Sequence, residues 1–157
     1  MDNGLEEAQR HGHARSPQWE KVRKDYASMF PVCAICGHRD KIQVHHVWPF
    51  HICIALGRPD LELDSRNLIT LCEGPEEHHL LIGHLDSFKS ANTNVRPDIP
   101  TFKGMTKDQI KLNHIWQLKV QQRLKPLDEL SEEEKQNIIK RLNELYPRQG
   151  SSPLRER

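Results

Sequence analysis

Long apolar runs are missing from this chain of 157 residues. No stretch approaches the roughly 18 apolar residues that a membrane-spanning helix needs, so no membrane protein is expected. The opening residues, Met1-Asp2-Asn3-Gly4-Leu5-Glu6-Glu7, have neither a basic lead nor an apolar segment, so they do not read as a secretory signal. These two absences predict a cytoplasmic, intracellular protein. Hydrophobic residues amount to 36% and aromatics to 6%, against 29% charged. Mean hydropathy is −0.76. That is enough apolar material for about one domain and a modest core. Cysteine is also scarce: there are four, and without a signal segment they do not suggest a disulfide framework.

A one-sided charge is missing too, since the net charge is only +1. Its distribution is uneven, however. Residues 31–95 hold five basic and eight acidic side chains, together with seven of the ten histidines. Residues 96–157 hold thirteen basic and nine acidic side chains, so the basic footprint of a nucleic-acid binder is confined to that end.

Residues 1–15 lack periodicity and read as a loose terminus. Ser16-Pro17 has the form of a helix start, with Trp19, Val22, Tyr26 and Met29 spaced as one apolar face. Ile42–His45 and Leu68–Leu71 read as short strands. Residues 47–66 read as a long excursion between them, and a helix is predicted from His78 to Lys89. Residues 96–105 form a connector. Two helices follow over 106–147, announced by the capping-box patterns Thr106-x-x-Gln109 and Ser131-x-x-Glu134. Their expected apolar faces are Ile110, Leu112, Ile115, Trp116 and Leu118, then Ile138, Ile139, Leu142, Leu145 and Tyr146. Residues 148–157 read as a flexible tail. Two short strands and one helix cannot bury a large core, so the segment 31–90 calls for a staple, and a bound metal is the usual intracellular one.

Three signals follow one another in that segment. Cys33-x2-Cys36 is joined by Cys72 after 35 intervening residues. His45-His46 stands at a strand end before Val47-Trp48-Pro49. Asn67-Leu68-Ile69-Thr70-Leu71-Cys72 leads to His78-His79 and His84. In this order the chain resembles the HNH nuclease family, whose pattern runs Cys-x2-Cys, His-His-x2-Pro, Asn-Leu-x2-Leu-Cys and then Cys-His at a helix start. The resemblance spans residues 16–95 and is closest to zinc-braced bacterial and phage-type members. It implies an α+β fold: a ββα-metal core with a structural zinc knuckle, here flanked by an N-terminal helix and two C-terminal helices. It also implies DNA as substrate, a structural Zn2+, and one catalytic divalent ion (Mg2+, Mn2+, Ni2+ or Zn2+). In the roles it implies, His45 and His79 are metal ligands and His46 is the general base. Asn67 ties the loop to the hairpin so that the base is aimed.

Residue chemistry supports the same assignment. Phosphodiester cleavage needs an activated water and a cation on the phosphate, and histidine titrates near the working pH. Neighbours on a strand face opposite ways, so His45 and His46 are expected to do different jobs. Two departures from the family pattern stand out. His78 replaces a cysteine, and two residues are inserted between Cys72 and His78-His79. We therefore expect Cys33, Cys36, Cys72 and His78 to hold the structural zinc, with Cys53 as a rival fourth ligand. His84 lies five residues beyond His79, roughly 140° out of phase on an α-helix. It reaches the metal only if the helix bulges or ends there; otherwise it contacts phosphate or solvent.

The expected function is thus a metal-dependent endonuclease that nicks or cuts DNA. The alternative is a non-catalytic, zinc-stabilised nucleic-acid-binding module. A third reading, an adaptor that binds protein through its C-terminal helices, leaves the histidines unexplained.

Overall fold

The computed structural model describes residues 15–148. The predicted features at 1–14 and 149–157 lie outside them. Among the described residues the fold is mixed: a two-stranded antiparallel sheet with helices around it. No helix there is long and apolar enough to cross a membrane.

Helix α1 (Trp19–Met29) begins two residues later than its sequence signal. Ser16 nevertheless accepts the Gln18 N–H on its Oγ at 3.1 Å, and its own N–H donates to Glu62. Arg15, expected to be loose, is packed: its guanidinium lies over Phe50 at 4.2 Å and Trp19 at 4.8 Å. Trp19 and Tyr26 are buried as expected, but Met29 is 71% exposed, since α1 has only a turn or two against the hairpin.

Strands β1 (Ile42–His46) and β2 (Leu68–Cys72) pair with His45 opposite Ile69 and His46 opposite Leu68. Strand alternation gives the hairpin two furnished faces. Val44 and Leu68 pack with Trp19, Val22 and Tyr26 of α1 on one face. Leu71 meets the segment around Gly83 on the other. All five residues of β2 are buried.

The long excursion between the strands is not irregular. It contains helix α2 (Phe50–Ala55), followed by 3-10 turns at Pro59–Glu62 and Ser65–Asn67. Phe50, Ile52, Cys53 and Leu61 are buried, so the loop supplies its own small core. The supposed connector likewise contains α3 (Val95–Phe102), with Pro100 inside it. Its Val95 and Phe102 are fully buried.

The helix predicted from His78 to Lys89 is instead a single π-helical turn, His79–Gly83. It stops there because Leu85 and Asp86 both adopt left-handed φ, 49° and 71°. Both predicted capping boxes are present, opening α4 (Lys107–Lys111) and α6 (Glu132–Leu145). Asn113 caps a separate helix, α5 (His114–Gln121). The two-helix expectation for 106–147 is therefore corrected to three, because Asn113 caps a new start where continuation was expected. Of the first expected apolar face, Ile110 and Trp116 are buried while Leu112, Ile115 and Leu118 are exposed.

The chain divides into two compact units after Pro126. Within the first, the Trp116 indole N–H donates to the Leu81 carbonyl at 2.7 Å, joining α5 to the π turn. Arg123 adds bonds of 2.8 and 2.6 Å to the Leu85 carbonyl. In the second unit, α6 buries Ile138 and Leu142.

Candidate metal centres

Cys33, Cys36, Cys72 and His78 come together with their ligand atoms within 4.8 Å of one another. The Sγ atoms of Cys36 and Cys72 are 3.8 Å apart. His78 Nδ1 lies 3.6 Å from Cys33 Sγ and 3.5 Å from Cys72 Sγ. A tetrahedral zinc with Zn–S of about 2.3 Å and Zn–N of about 2.0–2.1 Å has edges of about 3.8 and 3.6 Å, so the donor set fits that ion. Local backbone chemistry builds the knuckle. Gly37 takes φ 77°, and its N–H returns to the Cys33 carbonyl at 2.8 Å. Ala34 N–H ties the knuckle to the Thr70 carbonyl of β2. His78 Nε2–H donates to the Met105 carbonyl at 2.7 Å, which leaves Nδ1 with the lone pair that faces the sulfurs. The Cys33 thiol is held far below its usual range, chiefly by the facing Cys72 S–H. Cys53 is elsewhere. Its thiol is fully buried beside the Trp48 carbonyl and pushed up to about 12 by that burial, so it is a neutral hydrophobe.

A second cluster joins His45, His79 and His84, also within 4.8 Å. His79 Nε2 and His84 Nε2 are 3.1 Å apart. The π turn makes this geometry: it closes between residues five apart, so His84 comes into phase with His79, where an α-helix would hold it away. Position 83, the α-helical choice for a second ligand, is a glycine with a different task. A Cβ there would stand 3.0 Å from Leu71 Cδ1 and 3.3 Å from both Cε1 and Nε2 of His45. Glycine thus leaves room for the His45 ring.

The far sides of the rings are occupied. His79 Nδ1–H donates to Glu73 Oε2 at 3.1 Å, and His84 Nδ1–H to the Ser90 carbonyl at 2.6 Å. His45 hydrogen-bonds the Gly83 backbone, while its Nε2 is buried without a hydrogen-bond partner. Burial holds the His45 imidazole well below the usual histidine range, and His84 and His79 add to that effect. A buried ring nitrogen that carries a lone pair beside two others is what a divalent ion would satisfy.

His46 points to the other face of β1. Its ring lies 4.6 Å from Trp19 and 6.0 Å from Phe50. Its Nε2–H donates to the Glu62 carbonyl at 2.8 Å, so the lone pair is on Nδ1. Asn67 is fully buried and holds the loop by both ends. Its Oδ1 accepts the Trp48 N–H at 2.9 Å, while its Nδ2 donates to the carbonyls of Trp48 at 3.0 Å and Leu61 at 3.1 Å. Leu61 precedes the residue that anchors His46, so Asn67 and His46 belong to one hydrogen-bonded frame.

The sequence-predicted ligands other than the rival Cys53 thus fall in two clusters, with His46 at the end of β1 and Asn67 just before β2. Glu73, Gly83 and the carbonyls of Met105, Ser90 and Glu62 were not foreseen. Glu73 follows Cys72 directly, just as His79 follows His78, so one loop carries a group for each cluster at both ends. Compared with protein families, curated proteins and solved structures, the chain matches none of them.

Proposed function

We propose that this chain is a metal-dependent endonuclease of the HNH type that hydrolyses DNA phosphodiester bonds. The hairpin and the π turn then correspond to the ββα-metal core, and the Cys3His cluster to its structural zinc. One observation carries the reading. Neighbouring histidines of a single strand enter two differently furnished environments: His45 is one of three converging imidazoles, and His46 is fixed as an Nε2–H tautomer by a backbone carbonyl.

When bound, a divalent ion at His45, His79 and His84 supplies Lewis-acid stabilisation of charge on the phosphate and the departing oxygen. An all-imidazole donor set favours Zn2+ or Ni2+ over Mg2+, which prefers oxygen ligands. His46 acts as general base toward the attacking water, its ring oriented by the Nε2–H bond to the Glu62 carbonyl. Asn67 keeps that carbonyl in place. Family resemblance implies 5′-phosphate and 3′-hydroxyl ends. Lys and Arg side chains of residues 96–157 supply the backbone contacts that the acidic segment 31–95 would not.

The test is cleavage of supercoiled plasmid with added divalent metal, with and without chelator. Wild-type protein should nick or linearise it. His46→Ala should lose about 10²–10⁴ in rate while keeping the metal. DNA binding without cleavage by the wild type would replace the enzyme reading with the zinc-stabilised binding module.

A further inference from the structure

Three imidazoles face one another in the His45, His79 and His84 cluster, yet their outer partners differ in charge. His45 and His84 use backbone groups, of Gly83 and Ser90. His79 uses a carboxylate, that of Glu73 at 3.1 Å. The carboxylate meets Nδ1, the nitrogen on the side of the ring away from His84, so Glu73 is not itself a fourth ligand. Its backbone is fixed as well: the Glu73 N–H donates to the Lys41 carbonyl at 2.6 Å, one residue beyond the paired strands.

We propose that Glu73 is a positioning residue of the three-histidine centre. By accepting the Nδ1 proton of His79, it fixes the ring and keeps the Nε2 lone pair turned toward the ion. Histidine ligands gain basicity and a fixed orientation from such a partner, and losing one typically weakens metal binding 10–100-fold. The proposal rests on the three histidines being a divalent-metal site, not on the reaction carried out there.

The experiment uses the full chain with one equivalent of zinc, titrated with Co2+ as the probe metal. Visible d–d absorption reports nitrogen ligation, and near-ultraviolet thiolate absorption reports any invasion of the cysteine cluster. Glu73→Ala should weaken Co2+ binding about 10–100-fold, with thiolate absorption and circular dichroism unchanged. Glu73→Gln keeps an acceptor but not the charge, so it should fall between wild type and Glu73→Ala and stay folded if the alanine variant does not. Both Glu73 variants binding Co2+ within twofold of wild type would overturn the positioning role. Equal binding by wild type and His79→Ala would overturn the metal site and this role together. A wild type that binds Co2+ but cuts no DNA would sink the nuclease reading and leave Glu73's role intact.

Discussion

Replacing Gly83 by alanine separates space from backbone freedom. Gly83 does not use a left-handed φ, so alanine fits its backbone and should stabilise the folded state by about 0.4–1 kcal/mol through the unfolded chain. The new Cβ, however, would stand 3.0 Å from Leu71 Cδ1 and 3.3 Å from His45 Nε2. Leu71 and His45 are both buried, so overpacking of about 1–3 kcal/mol opposes the gain. The net loss without metal should be about 0.5–2 kcal/mol. The His45 ring is what can yield, and a shift of its Nε2 should weaken the three-histidine centre about tenfold, which is about 1.4 kcal/mol. Thermal melts with and without Co2+ read both effects. At a metal concentration of about 100 times the wild-type Kd, binding stabilises the wild type by about 2.7 kcal/mol and the variant by only about 1.4. The difference corresponds to roughly 3–6 °C of metal-induced shift in Tm. An alanine variant with the wild-type metal-induced shift would refute the claim that this glycine makes room for His45.

Cys33→Ala should lose one zinc and unfold, since structural zinc supplies about 10–16 kcal/mol against a usual total stability of about 5–15; zinc analysis and circular dichroism decide it. Cys53→Ala should keep its zinc and lose only about 1–2 kcal/mol in a denaturant melt, because a neutral buried thiol contributes packing alone. With zinc in the cysteine cluster and no ion at the three histidines, the protein should lose stability as pH falls below about 6.5, by up to about 1.4 kcal/mol per unit. The sign follows from His45: its folded pKa is depressed, so the unfolded chain takes up the proton first on acidification. Urea melts across pH 7 to 5 should show that slope, and His45→Gln should flatten it.

Patterns that depend on neighbours in sequence could be read without coordinates. Alternation in Ile42–His45 and the short apolar run Leu68–Leu71 marked the strands, and the two capping boxes marked their helix starts. Cys-x2-Cys with Cys72 marked the thiolate cluster. Phase was the weak point. Whether His84 joins His79 depends on a π turn, and that turn draws on a partner far along the chain, the Trp116 indole on Leu81. Backbone carbonyls carry no residue signature, so the anchors of His46, His78 and His84 were invisible. Leu112, Ile115 and Leu118 repeat at helical spacing, yet Asn113 caps a new helix among them and leaves all three exposed. Gly83 held a readable hint: the ligand position of a regular helix stood empty of any side chain.

The loop between Cys72 and His79 gives the two centres a shared thermodynamic account. Cys72 and His78 serve one, Glu73 and His79 the other, and a single peptide bond separates Cys72 from Glu73 and His78 from His79. Whatever free energy an ion in the cysteine cluster lends to the imidazole cluster, an ion among the imidazoles must return in equal measure. Chelation at either centre is therefore expected to loosen the other by the same factor. Residues 76 and 77 between those pairs are held as well, since Glu76 Oε1 accepts the Lys107 N–H at 2.7 Å and Glu77 pairs with the Lys107 ammonium at 3.5 Å.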